Sequence, residues 1–170
     1  FDSDTPSSKD KKFFYDVIRR YPEITFYYLK GNHDRYGLDE NVPENLKRFS
    51  VVWTSYPLGG NIVLSGIERA KDNVLSLYDT LSLDQGKINI VRLHGAIQDK
   101  PGMDGICLRK LKDKNIDYLA LGHIHSYQQG RIDDRGSYAY PGCLQGRGFD
   151  EIGEKGFILL TIENQRIKKE

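Results

Sequence analysis

Three apolar runs of this sequence stop at loops that carry glycine and histidine. Each run is rich in branched and aromatic residues, which is typical of a buried strand. The runs cover 23–29, 87–93 and 117–123, and they lead into the segments GNHD, LHG and GHIH. The carboxyl ends of parallel strands meet at one edge of an open sheet, where ligands bind. A chain with this pattern is therefore expected to fold so that these loops share one edge.

The chain contains four histidines, and all of them lie in these three segments: His33, His94, His123 and His125. Imidazole is a ligand for Zn, Mn, Fe and Ni, and the amide of Asn32 can add a neutral oxygen. On an extended segment His123 and His125 project from one face, so two ions about 3.5–4 Å apart would each take one of them. GNHD alone is equally consistent with a polar turn. Three such segments that use every histidine favour a metal site.

The remaining pattern predicts strands that alternate with helices, followed mostly by strands. Helices are predicted over 9–22, 42–49, 72–83 and 104–116. Further strands are predicted over 50–53, 61–67 and 155–163, with a hairpin over 127–142 and a solvated tail at 164–170. Alternation of this kind is typical of a layered α/β domain. We expect a single domain over 1–170.

Composition excludes several classes of protein. Hydrophobic residues make up 38% and charged residues 29% of the 170 residues, as in soluble globular domains. The 25 Lys and Arg residues nearly balance the 24 acids, which argues against a generic polyanion binder but not against a local basic groove. The sequence shows no membrane-spanning apolar run and no signal peptide. Cys107 and Cys143 lie far apart, and in a cytoplasmic chain we expect them to be free thiols.

The three histidine segments resemble three of the ordered motifs of the calcineurin-like metallophosphoesterases. Two further motifs, D-x-H and G-D-x-x-D, precede them in that family. The opening FDSDTPSS resembles the end of G-D-x-x-D, with Asp2 as its final residue. The resemblance implies a layered α-β-β-α sandwich with mixed sheets that is N-terminally incomplete in this chain. The metal-bridging Asp and the D-x-H strand are expected to lie before Phe1.

A narrower resemblance covers 140–157, YPGCLQGRGFDEIGEKGF. This stretch is similar to the Y-P-G-S-x-Q…F-x-E…K-G stretch of the SbcD-type DNA repair exonucleases. Cys143 replaces the usual Ser, and no change of chemistry is expected from it. The resemblance implies a cytoplasmic two-metal nuclease with DNA as its substrate and Mn as its metal, with Zn, Fe or Ni as alternatives. It further implies an ATPase partner subunit and pairing of the domain with itself, and no membrane partner.

The resemblance also assigns the metal ligands. Asn32, His94 and His123 would bind the second metal, and His125 would bind the first metal. A hydroxide held between the two ions would attack phosphorus in line with the leaving oxygen. Because histidine must be neutral to bind a metal, activity is expected to fall in acid.

Four further residues receive roles beside the metals. By the same resemblance His33 is the catalytic histidine, which stabilises charge on the phosphate or protonates the leaving oxygen, and Asp2 would orient it. Arg147 is a candidate phosphate contact, although an exposed loop arginine is an equally ordinary interpretation. Tyr127 is a candidate for stacking on a base, or for simple packing.

Two other functions are consistent with the same residues. One is a phosphoesterase that acts on small diesters or phosphoproteins. The other is a non-catalytic scaffold domain on the same fold, since part of the ligand set is not in this sequence. For that reason we expect the 170-residue chain alone to be impaired as a catalyst.

Overall fold

The computed structural model describes residues 6–34, 37–39, 41–146, 148–149, 151–164 and 166–169. The helices are α1 (Ser8–Arg19), α2 (Ser76–Thr80) and one 3₁₀ turn (Leu108–Lys110). The strands are β1 (Phe26–Tyr28), β2 (Leu46–Arg48), β3 (Thr54–Pro57), β4 (Ile62–Gly66), β5 (Ile88–His94), β6 (Ala96–Ile97), β7 (Gly105–Ile106), β8 (Tyr118–Gly122), β9 (Gln128–Arg131), β10 (Ser137–Tyr140), β11 (Leu160–Glu163) and β12 (Arg166–Lys169). None of the described helices has the length and apolar character needed to cross a membrane.

A six-stranded mixed sheet forms the centre of the molecule, in the order β3-β4-β5-β8-β10-β9. The four inner strands run parallel to one another, and β3 and β9 pair antiparallel at the two edges. The register between β5 and β8 places Ile90 opposite Tyr118 and His94 opposite Gly122. Both strands therefore end at one edge of the sheet. The α/β class predicted from the sequence is confirmed.

Both faces of the sheet are covered, which explains the nearly continuous apolar runs of its inner strands. Successive side chains of a strand point to opposite faces. Accordingly Val91 and Leu93 of β5 pack with Leu119 and Leu121 of β8 in one core cluster, with α2 and the 105–116 segment. On the opposite face Ile90 packs in a second cluster with Phe49, Tyr118 and Ala139, against partly buried residues of β1, β11 and β12.

The layer formed by α1, β1 and β2 lies over this second cluster. Helix α1 begins with a capping box, in which the Ser7 hydroxyl accepts from the Asp10 backbone N–H and the Asp10 carboxylate accepts from the Ser7 backbone N–H. Its buried side chains Tyr15 and Ile18 pack with Leu46 of β2. The order helix, small sheet, large sheet, α2 gives the layered arrangement that the sequence predicts.

The predicted helix over 42–49 is wrong, because this segment carries β2, which pairs in parallel with β1. The side-chain amide of Asn45 donates to the carbonyls of Ile18, Tyr21 and Ile24 at 3.1, 3.0 and 3.0 Å. These bonds hold the segment to the end of α1 in an extended path. The pattern V-P-E-N resembles the start of a helix, but the pairing with β1 and the bonds to these distant carbonyls oppose one.

The helix predicted over 104–116 is wrong, and the helix predicted over 72–83 is too long. In 104–116 the chain forms β7 and a single 3₁₀ turn, and Asp113 and Asn115 then take left-handed backbone angles of 59° and 60°, which end regular structure. In 72–83 only α2 is helical. Asn73 lies before α2, and its side chain binds the backbone of Glu68, Ala70 and Val51. These bonds keep the turn around Asn73 out of the helix.

Three further boundaries differ from the sequence predictions. The strand predicted over 50–53 is a bend, and β3 begins only at Thr54. The strand predicted over 155–163 is limited to β11. The tail predicted to be solvated pairs antiparallel with β11 as β12, with Ile162 opposite Ile167.

A polar network fixes β5 at the end of the strand opposite to His94. The buried side chain of Asn89 donates to the carbonyls of Asp84 and Asn115, both at 2.8 Å, and its backbone N–H donates to Asp117 Oδ2 at 2.8 Å. Arg135 binds the same carboxylate through Nε and Nη2, at 3.0 and 2.8 Å. Because every buried polar group here has a partner, the network holds the amino ends of β5 and β8 in register.

Candidate metal centre

A cavity of about 470 Å³ opens beyond the carboxyl ends of β1, β5 and β8. All four histidines of the chain line it, together with Asn32. Among the described residues, the lining consists of Leu29, Gly31, Asn32, His33, Asp34, His94, His123, Ile124, His125, Gly142 and Cys143. The fold thus brings together the loops that the sequence analysis grouped.

Asn32 brings its side-chain oxygen close to one ring nitrogen of His94 and one of His123. Asn32 Oδ1 lies 2.8 Å from His94 Nε2 and 3.4 Å from His123 Nδ1. The two imidazole rings are nearly perpendicular, at 83°, with their centroids 5.2 Å apart. Ligands at right angles around an ion, each about 2.1 Å from it, lie about 3 Å from one another. The donor set and its spacing therefore fit a divalent metal ion.

His94 is held between two glycines. A Cβ atom at Gly122 would lie 2.9 Å from His94 Nδ1, and a Cβ atom at Gly31 would lie 3.0 Å from His94 Cε1. Any larger residue would push the ring out of its place. Burial, followed by the nearby His123, lowers the pKa of His94 to about 4. The ring is therefore neutral near pH 7, as a metal ligand must be.

His123 has an unusual backbone. Its φ angle is 102°, in a region that residues with a side chain rarely adopt. Strain of this kind costs on the order of 1–3 kcal/mol and clusters at functional sites, where the surrounding structure enforces it. The turn directly after β8 brings His123 Nδ1 to the same amide oxygen that contacts His94.

The loop that carries Asn32 and His33 is fixed by Asp34. The Asp34 side chain is buried, at 8% exposure, and accepts from the Gly31 backbone N–H at 3.0 Å. The Asp34 backbone N–H donates to the Gly31 carbonyl at 3.2 Å. Asp34 thus closes the loop on itself, while His33 is exposed at the cavity.

His125 belongs to a second group within the site, with Cys143 and Glu151. One potential ligand atom from each of these residues lies within 4.8 Å of the other two. His125 Nδ1 forms a hydrogen bond with Glu151 Oε1. Cys143 Sγ lies 3.8 Å from Glu151 Oε2, and the Cys143 backbone N–H donates to the His125 carbonyl at 3.3 Å. The sequence analysis missed Glu151, although it is the Glu of the F-x-E pattern in 140–157.

The structure places the remaining candidates elsewhere or does not describe them. Asp2 and Arg147 lie outside the described residues. Tyr127 is 55% exposed and is not among the residues that line the cavity. No contact within the described part of the site supports its predicted stacking on a base. Both cysteines are free, Cys107 in the core and Cys143 at the cavity.

Comparison with known proteins identifies relatives of the chain. Residues 1–127 match the model of the family described as calcineurin-like phosphoesterase. The chain is also 29% identical, over 189 residues, to a protein of Bacillus subtilis (strain 168) named "Uncharacterized metallophosphoesterase YhaO". That alignment covers 100% of this chain and 45% of the relative, so the chain spans less than half of the relative's length.

The close packing of His94 predicts the effect of Gly122→Ala. The new methyl group would displace the His94 ring, because it would lie 2.9 Å from Nδ1. We expect Mn²⁺ affinity, measured by isothermal titration of the metal alone, to fall at least tenfold. In the control Gly156→Ala a Cβ meets nothing within 4 Å, so affinity should be unchanged. Equal affinities for the two variants would show that His94 is not a ligand.

The lowered pKa of His94 predicts a pH dependence of the metal-free protein. Its folded pKa of about 4 lies below the ordinary value of 6.5. Between these values the unfolded chain takes up a proton that the folded chain does not. The free energy of unfolding should therefore fall as pH drops from about 6.5 toward 4, and this group should have no effect above that window. An NMR titration should give His94 a midpoint near 4; an unshifted midpoint would contradict the burial argument.

Proposed function

The chain belongs to the calcineurin-like phosphoesterase family, and from this premise we propose that it is a metal-dependent phosphodiester hydrolase acting on DNA. Membership in the family suggests phosphoester hydrolysis. One observation of the structure carries the proposal further. Every histidine of the chain, together with Asn32, lines a single cavity at the carboxyl edge of the sheet.

Two divalent ions are part of the proposal. Asn32, His94 and His123 would hold one ion, and His125 would hold the other; we propose Mn²⁺, with Zn²⁺, Fe²⁺ or Ni²⁺ as alternatives. Such ions supply Lewis-acid chemistry, which polarises a phosphate and lowers the pKa of bound water.

His33 has the position of an acid or of a charge-stabilising group. It is exposed at the cavity, next to the ligand Asn32 on a loop that Asp34 closes. A protonated imidazole there would stabilise negative charge on the phosphate or give its proton to the leaving oxygen. The hydrogen bonds that join Asn32 to His94 and to His123 do not involve His33, and we assign it a role separate from metal binding.

The stretch 140–157 favours DNA as the substrate, through its resemblance to the SbcD-type exonucleases. Part of this stretch packs against the site, since Gly142 and Cys143 line the cavity and Glu151 binds His125. The nearly neutral charge of the chain fits a domain whose grip on DNA comes partly from other subunits. We propose an ATPase partner and a second copy of the domain for that role, and a cytoplasmic location.

A small phosphodiester or a phosphoprotein is the second candidate substrate. The cavity volume of about 470 Å³ lies within the range of small-molecule sites, about 300–1,000 Å³. A site of this size can hold one phosphodiester group together with the two organic groups that the phosphate joins. Assays therefore need both DNA and a chromogenic diester.

Replacing His33 by alanine should separate chemistry from metal binding. In the full-length protein loaded with Mn²⁺, we expect His33→Ala to slow the cleavage of linear duplex DNA by about 10²–10⁴-fold, the usual contribution of a general acid. Its affinity for Mn²⁺ should be unchanged. The comparison variant Asn32→Ala should lose both DNA cleavage and Mn²⁺ affinity, because it removes the oxygen that contacts His94 and His123.

The same assay separates the candidate functions. Hydrolysis of the chromogenic diester without DNA cleavage would replace DNA by the small-diester substrate. If the metal-loaded protein hydrolyses neither substrate, the hydrolase proposal is wrong and a scaffold role replaces it. Full DNA cleavage by His33→Ala would refute the role of that side chain.

A further inference from the structure

His125 has a carboxylate partner on one of its two ring nitrogens. Glu151 Oε1 forms a hydrogen bond with His125 Nδ1. A carboxylate can only accept, so when the imidazole ring is neutral Nδ1 carries the proton and Nε2 keeps its lone pair. The ring is thereby restricted to one tautomer, which leaves one nitrogen as a metal ligand.

The two sides of the His125 ring face different surroundings. His125 and Cys143 line the cavity, and Glu151 is not among the lining residues. The His125 side chain is 40% exposed and the Glu151 side chain 16%. Because the carboxylate is bonded to Nδ1, Nε2 is the ring nitrogen left for the cavity.

Glu151 is itself held by the chain around it. Its backbone N–H donates to the Gly148 carbonyl at 3.1 Å, and a Cβ atom at Gly146 would lie 2.6 Å from its carbonyl oxygen. Cys143 Sγ lies 3.8 Å from Oε2 and 3.6 Å from the His125 carbonyl oxygen. These contacts fix the carboxylate against His125 and restrict its rotation.

We propose that Glu151 is a positioning residue, which fixes the tautomer and the orientation of His125 so that Nε2 faces the cavity as a metal ligand. The inference deepens the proposed function and rests on it for the metal at His125. Partners of this kind orient metal-binding histidines and raise their basicity, and their loss costs about 10–100-fold in metal affinity. Glu151 needs no contact with substrate in this role.

Direct binding of one ion by His125, Cys143 and Glu151 is the competing arrangement, since their ligand atoms lie within 4.8 Å of one another. It would require Nδ1 to give up its hydrogen bond and Glu151 to face an ion from outside the cavity lining. It would also release the Cys143 thiol proton to solvent on binding. The two arrangements differ in which His125 nitrogen is protonated and in whether the Cys143 thiol binds the metal.

The test reads the tautomer in metal-free protein at about pH 8, above the ordinary histidine pKa of about 6.5. Long-range ¹H–¹⁵N correlation spectra can resolve the chain's four histidines. We expect His125 to be protonated on Nδ1 in the wild type. In Glu151→Ala it should shift to the Nε2-protonated form, which free imidazole side chains prefer. Glu151→Gln offers an amide oxygen to Nδ1 and should restore the wild-type tautomer.

Metal titration completes the test. Glu151→Ala should bind Mn²⁺ about 10–100-fold more weakly in the step that involves His125, and Glu151→Gln should recover most of this loss. The control Glu154→Ala changes an exposed acid three residues away and should alter neither the tautomer nor the affinity. Cys143→Ser should also leave both unchanged.

Three results would overturn the proposal. The first is a wild-type His125 protonated on Nε2, and the second is a Glu151→Ala variant with an unchanged tautomer. The third is an affinity loss in Cys143→Ser as large as in Glu151→Ala, which would establish direct binding by the thiol. The tautomer is read without metal or substrate, so an inactive protein with the expected tautomer would contradict the hydrolase function and not this pairing.

Discussion

The register between β5 and β8 is the constraint on which the site depends. It sets His94 opposite Gly122 at the last paired position of the two strands. The ring of His94 needs the space that the missing side chain of Gly122 leaves, and His123 follows directly after it. If β5 slipped by one residue against β8, every side chain of the strand would point to the opposite face. The packing of both core clusters would then be lost, so the clusters stabilise the observed register. The register of β5 and β8 therefore determines both the packing of the core and the geometry of the site.

The site also draws on the stability of the sheet. His123 takes an unfavourable backbone angle, and partial burial of His94 lowers the pKa of its ring. The strained backbone of His123 costs free energy in the metal-free protein, and the packed strands on both sides supply the compensation. A preformed cluster of potential ligand atoms follows, in which Asn32 reaches both rings. Because the His94 ring is neutral near pH 7, an ion that binds there would meet no positive charge on this ring.

Much of this could be predicted from the sequence, because strand patterns and histidine positions are local signals. The α/β class, the hairpin of β9 and β10, and the strands β1, β4, β5 and β8 follow from periodicity and turn residues. The helix predicted over 42–49 could not be corrected locally, since the carbonyls that Asn45 binds lie more than twenty residues away. Glu151 was missed for the same reason: its partner, His125, lies 26 positions earlier in the chain.

Anomalous diffraction tests most directly whether the histidine loops form a metal centre. Crystals of the full-length protein grown with Mn²⁺ would be measured at the manganese absorption edge. We predict a strong anomalous peak in bonding contact with Asn32, His94 and His123, and a second peak at His125. A metal-loaded protein with no peak at Asn32, His94 and His123, or with its manganese bound only by other residues, would contradict the assignment of this edge of the sheet as the metal centre.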